Sequence, residues 1–193
     1  MNDRVLFTDG SVDPQLKIGV GAYLALPASF LKTPLSRINK SELRERVHIQ
    51  RFTNTSSTQL EVQTVLWALA EIKNETNNCE PGKIVLFSDS QCVNGLLKRR
   101  PKLTAENFLT KKQQPLKHAA LYHSFYQLHD RLGFEPIKVK GHSRASSQDS
   151  VHLIFSVVDR EVRKSLKEWK LGIESFANGS LHSGKPAGLL EDI

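Results

Sequence analysis

Asp9 and Asp89 each stand where an apolar run gives way to small polar residues. Asp9 follows Val5-Leu6-Phe7 in Phe7-Thr8-Asp9-Gly10-Ser11, and Asp89 follows Ile84-Val85-Leu86-Phe87 in Ser88-Asp89-Ser90. Two further acids complete a set of four: Glu61 in Ser57-Thr58-Gln59-Leu60-Glu61, and Asp159 in Val157-Val158-Asp159-Arg160-Glu161. Open α/β sheets hold ligands at the carboxyl ends of their strands, so aspartates ending two strands can face one crevice. Carboxylates gathered there raise one another's pKa unless positive charge stands between them. Hard divalent cations, which take oxygen ligands, resolve that conflict and support phosphodiester cleavage. The set points to a metal-dependent nuclease.

Each acid also has a plainer reading. Asp9 and Asp89 before Gly or Ser suit turns. Glu61, three residues after Thr58, has the spacing of a capping box and favours the positive end of a helix. Asp159 alone would be a solvated helix residue. Four such residues on successive elements are better accounted for by one shared cation site.

The elements that must position them follow from periodicity. Arg4–Thr8 reads as a strand ending at Asp9-Gly10-Ser11. Ile18, Val20, Ala22, Leu24 and Leu26 alternate with Gly19, Gly21, Tyr23 and Ala25, the period of a half-buried strand. Val47–Thr53 reads as a third strand, completing an antiparallel meander. Val62, Val65, Leu66, Leu69 and Ile72 form the apolar stripe of a helix carrying Glu61. Ile84–Phe87 is continuously apolar, as for a strand buried on both faces. Gln91–Arg99 is expected to be a short helix stopped by Pro101, followed by a helix over Leu116–Leu132 and a strand over Glu135–Lys140. Val151, Ile154, Phe155, Val158, Val162, Leu166 and Trp169 mark a final helix. The order predicts one α/β domain over residues 1–171, a mixed sheet with helices on both faces. Residues 172–193, rich in Gly and Ser, are expected to form a loosely ordered tail.

The 193 residues carry 27 Lys and Arg against 20 Asp and Glu, a net charge of +7. A basic protein with an acidic site must carry its charge for a polyanion around that site. No stretch approaches a transmembrane span. Met1-Asn2-Asp3-Arg4 runs straight into a strand, and Cys79 and Cys92 have no ligand spacing, so a cytoplasmic, non-membrane protein with reduced thiols is expected.

Thr8-Asp9-Gly10-Ser11, Glu61 at a helix start, Ser88-Asp89-Ser90-Gln91 and Val139-Lys140-Gly141-His142 together resemble the type 1 ribonuclease H family. The resemblance runs in matching order from Arg4 to Trp169. It implies the ribonuclease H-like fold with a five-stranded mixed sheet, and endonucleolytic cleavage of RNA within an RNA–DNA hybrid. It also implies two Mg²⁺ ions, replaceable by Mn²⁺, held by Asp9, Glu61, Asp89 and Asp159. His142 would carry a proton or assist product release. Asp9, ending the central strand, would bridge the two ions.

The chain departs from the family pattern at two places. Ser57 and Thr58 stand where the family has paired asparagines that read the minor groove. His142 and Asp159 lie 17 residues apart, a longer interval than usual, with Asp149 between them as a rival ligand. Asp159 is preferred because it sits on a helix, and a ligand needs rigid support; Asp149, in a serine-rich stretch, suits a helix cap.

Recognition of a hybrid requires contacts to 2′-hydroxyls in a shallow minor groove. Gly10, Ser11, Ser57, Thr58 and Gln91 are the candidates. The basic segment from Lys98 to Lys117, with Arg99, Lys111 and Lys112, lies where some family members carry a substrate-binding protrusion; phosphate contacts there would add affinity without sequence information. The alternatives are a nuclease of the same fold with another nucleic-acid substrate, and a hybrid- or RNA-binding protein that has lost catalysis. A pure binder has no use for a repulsive acidic cluster. A monomer is expected.

Overall fold

The computed structural model describes residues 3–75, 82–139 and 149–179. Its sheet has five strands in the order β3-β2-β1-β4-β5. β1 (Arg4–Asp13), β2 (Ile18–Pro27) and β3 (His48–Thr53) form the expected antiparallel meander, with α1 (Lys40–Glu45) before β3. α2 (Ser57–Glu75) leads to β4 (Ile84–Ser88), parallel to β1. Then α3 (Gln91–Ala105) and α4 (Ala119–Leu132) lead to β5 (Glu135–Lys138), parallel to β4, and α5 (Ser150–Gly179) follows.

Alternating residues of β1 divide the core between the two faces of the sheet. Val5 and Phe7 pack with Val20, Ala22, Leu24, Phe87 and the α5 residues Ile154, Val158 and Val162. Leu6 packs on the other face with Val65 and Leu69 of α2, Leu86 of β4 and Phe125 of α4. Phe7 and Phe87 stack at 4.9 Å, which joins the two central strands beneath the site.

Four details differ from expectation. β1 does not end at Asp9: it continues to Asp13, because β2 pairs with it along its whole length, from Arg4↔Pro27 to Asp13↔Ile18. β2 is buried on both faces rather than one. Its glycines let α2 lie directly on the strand; a Cβ on Gly21 would stand 2.2 Å from Thr64 Oγ1, and one on Gly19 2.7 Å from a Leu60 methyl. Pro101 does not stop α3. It lies inside the helix, whose last turn is held by Leu103 against the core and by Glu106 N–H donating to the Lys102 carbonyl. Finally, α5 extends to Gly179, so the helical domain passes the boundary expected at residue 171. Ile173 continues the apolar stripe of Leu166 and Trp169 onto the core, which keeps the helix docked.

Candidate active site

The register creates the site. β1 pairs with β4 only from Arg4↔Ile84 to Phe7↔Phe87. Two residues beyond that last pair, β1 carries Asp9 and the chain leaving β4 carries Asp89. The two aspartates therefore emerge side by side where the strands part. Asp9 still belongs to a strand, paired with Ala22, so its backbone is held while its side chain faces the opening. Val139 N–H donates to the Ser88 carbonyl at 3.0 Å, bringing the end of β5 to the same place.

Asp9 reports the electrostatics. Burial pushes its carboxyl up to about 8 from an ordinary 3.8; the Asp89 charge adds to the rise, a hydrogen bond from the Gly10 backbone opposes it, and Asp159 raises it further by charge and by a shared hydrogen bond. Asp159 is thus beside Asp9. Its helix is anchored by Val158 and Val162, both fully buried, and Arg163 pairs with its Oδ1 at 2.8 Å.

Glu61 is held by two serines. Ser57 Oγ donates to its Oε1 at 3.3 Å, and Ser90 Oγ donates to its Oε2. Ser90 also caps α3, accepting from Val93 N–H at 3.1 Å. One hydroxyl therefore joins the start of α3, next to Asp89, to the first turns of α2. Asn94 braces the same corner, its Nδ2 donating to the carbonyls of Ser88 at 2.9 Å and Ser90 at 2.7 Å. The capping box expected between Thr58 and Glu61 does not form: α2 begins at Ser57, so Thr58 already lies inside its first turn instead of capping it. Sequence reasoning missed Ser90 and Asn94 as supports. The signals were a serine directly before a helix and an asparagine four residues on, where its amide reaches the helix-start carbonyls.

Among the described residues, no three acidic or imidazole groups already converge closely enough to hold an ion. Glu61 is engaged by hydroxyls and Asp159 by Arg163. The donor set nevertheless suits a hard divalent cation: oxygen ligands on rigid elements, with the Asp9 carboxyl raised first by burial and then by its acidic neighbours.

The rival Asp149 is a cap. Its Oδ1 accepts from His152 N–H at 2.9 Å and meets His152 Nδ1 at 2.9 Å, while its carbonyl accepts from Leu153 N–H. Those interactions hold it at the start of α5, ten residues before Asp159. His142 lies outside the described residues.

Gly10 and Ser11 lie on β1 beyond Asp9, opposite Gly21 and Val20. Ser57 and Thr58 open α2, and exposed Gln91 opens α3 next to Asp89 and Ser90, so these candidates flank the acids. Arg99 is exposed but folds back along α3: its Nη2 donates to the Cys92 carbonyl at 3.1 Å and its guanidinium lies 5.8 Å from the Tyr122 ring centre. Lys111 and Lys112 are exposed on a tight turn closed by Thr110 N–H donating to the Gln114 carbonyl at 2.7 Å. Phe108 anchors that turn, its ring 3.8 Å from the ring of His123 on α4.

A mixed sheet in this strand order, with an acidic opening where β1 and β4 part, defines a ribonuclease H-like fold. The family model for RNase H matches residues 1–151. The PFV RNase H domain in solution superimposes with a TM-score of 0.60 at 18% identity, over 83% of this chain and 92% of that one. A foamy viral protease-reverse transcriptase in complex with dsDNA gives 0.56 at 14% identity, over 82% and 93%. The same kind of protein in complex with RNA/DNA hybrid gives 0.50 at 12% identity, over 72% of this chain and 17% of that one. No curated protein matches the chain. The chain belongs to the ribonuclease H family, and it is a ribonuclease H enzyme.

Proposed function

We propose that the protein hydrolyses the RNA strand of RNA–DNA hybrids, and that Asp9, Glu61, Asp89 and Asp159 hold two Mg²⁺ ions for that reaction. The observation carrying this reading is that β1 and β4 part after Phe7↔Phe87 and leave Asp9 and Asp89 side by side, with Asp159 against Asp9, three carboxylates that repel one another. A purely structural cluster has no reason to keep that repulsion. When bound, the ions supply Lewis-acid stabilisation of charge on the attacking and leaving oxygens of a phosphodiester.

The chain's own groups do the positioning. Asp9 is held by strand pairing and Asp159 by a packed helix, so neither carboxylate must be ordered at the moment of reaction. Ser57 and Ser90 orient Glu61, and Asn94 holds the backbone on either side of Asp89. Gly10 and Ser11 place main-chain groups and a hydroxyl beside the acids, where 2′-hydroxyls of an RNA strand could be met. His142, three residues after Val139, is proposed to carry a proton at the departing oxygen.

One assay tests the substrate. Labelled hybrid, duplex RNA, duplex DNA and single strands are incubated with and without Mg²⁺ and resolved on a gel. Cleavage confined to the RNA strand of the hybrid, and dependent on Mg²⁺, is expected; equal cleavage of duplex RNA would remove hybrid specificity, and metal-independent cleavage would remove the ion site.

The loop after α3 is the proposed first phosphate contact. Lys111→Glu with Lys112→Glu is expected to raise KM about tenfold with little change in kcat, because such contacts are made equally in ground and transition states. The slope of log affinity against log salt should fall by about 2. An unchanged slope would make this loop a plain solvated surface. Arg99 is left out of that variant, since its guanidinium is already engaged by Cys92 and Tyr122.

A further inference from the structure

Beyond Asp159, α5 presents Arg160, Arg163, Lys164, Lys167 and Lys170. At 100° per residue these five cations fall within an arc of about 120° on the side away from the core stripe of Val162, Leu166 and Trp169. Upstream, that side is covered: Leu153, two turns before Arg160, is only 9% exposed. Downstream it opens into a groove of about 380 Å³ lined by Arg163, Lys167 and Lys170 around Leu166 and Leu171, with Glu174 as its one acid.

Two of the cations are tied to acids of the active-site edge. Arg163 pairs with Asp159 at 2.8 Å, and Lys170 pairs with Asp13, at the end of β1, at 2.6 Å. The ridge is therefore continuous with the catalytic opening. Arg160 and Lys167 are exposed, and no ion pair engages either among the described residues. Within the arc of the five cations the only acid of α5 is Glu174, while Glu161 and Glu168 fall outside it.

We propose that this side of α5 is a second nucleic-acid contact surface, which tracks the phosphate backbone of the hybrid away from the scissile bond. The inference rests on the hybrid-directed reading above and adds where the rest of the duplex lies. From Arg160 to Lys170 the helix rises about 15 Å, the axial length of roughly four nucleotides of one strand. Charge complementarity selects the partner: a row of cations at this spacing matches successive phosphates. The contacts are to phosphate, so they add affinity and register without sequence preference. A cation taken up by Asp159 would also release the Arg163 guanidinium toward the same backbone.

The test uses the full chain carrying Asp9→Asn, so that hybrid is bound but not cut, with affinity read by fluorescence anisotropy. Adding Arg160→Glu and Lys167→Glu is expected to weaken binding about tenfold or more at low salt and to lower the salt slope by about 2. Lys32→Glu with Lys40→Glu changes the net charge equally, at exposed positions off the ridge, and should weaken binding far less. Replacing single phosphates by uncharged methylphosphonates should reveal consecutive positions, apart from the scissile one, that matter to the parent and no longer matter to the ridge variant. Neutral Lys167→Gln should give part of the effect at an unchanged melting temperature. Equal losses from the two double variants, or identical methylphosphonate footprints, would overturn the proposal. Equal affinity of the parent for hybrid and duplex DNA would instead overturn hybrid selectivity, while the ridge remained measurable on either duplex.

Discussion

Asp9→Asn is expected to abolish cleavage while making the metal-free protein more stable at pH 8. The loss should exceed the ~100-fold that removing even an outer support of a metal ligand costs. The gain follows from linkage. Asp9 binds its proton more tightly in the folded state, where its pKa is about 8, than at the ordinary 3.8. Its favourable contribution is complete below about pH 4 and is lost as pH rises towards 8, because the folded state then must ionise a carboxyl that burial and acidic neighbours hold neutral. Asparagine removes that ionisation. At pH 8 the variant should melt roughly 4–8 °C higher than the parent, or about 2 kcal/mol for a chain this size, with the two curves meeting near pH 4. Mg²⁺ should stabilise the parent more as pH rises, since the cation competes with the proton on Asp9. Full cleavage by the variant at saturating Mg²⁺ would remove Asp9 from the site, and a parallel pH dependence of the two melting curves would remove the electrostatic account.

Asp159→Asn is expected to cut Mg²⁺-dependent cleavage by more than ~100-fold, whereas Asp149→Asn should stay within a few-fold of the parent. Asp159 acts on Asp9 by charge and by hydrogen bond, and it projects from a helix fixed by buried Val158 and Val162. Asp149 caps that helix, and asparagine caps about as well as aspartate. Asp149→Ala should then cost about 1 kcal/mol of stability with catalysis preserved. Rates measured at matched folded fractions separate the two roles, and an inactive Asp149→Asn protein would reassign the fourth carboxylate.

Much of this organisation was legible in the chain. The alternation in β2, the apolar run of β4 and the stripes of α2 and α5 reflect which residues leave water, and that preference is local. Asp9 and Asp89 stood out because each comes one polar residue after an apolar strand core. The errors fell where tertiary contacts overrode local signals. Pro101 suggested a helix stop, but Leu103 docks on the core and carries α3 another turn. The Gly- and Ser-containing stretch after Leu171 suggested a tail, but Ile173 packs and extends α5. Thr58 and Glu61 had the spacing of a capping box, but Ser90, 29 residues further along the chain, engages Glu61 instead.

The sequence by itself determined the elements, their order and the acids they carry, because burial and backbone preference act over a few neighbouring residues. Only the tertiary structure decided that Asp9 faces Asp89 and Asp159, and that Lys170 of α5 reaches Asp13 at the end of β1. Those relations depend on strand register and helix docking. A shift of one residue in the β1–β4 pairing would turn Asp9 to the opposite face, and no local propensity would register the change.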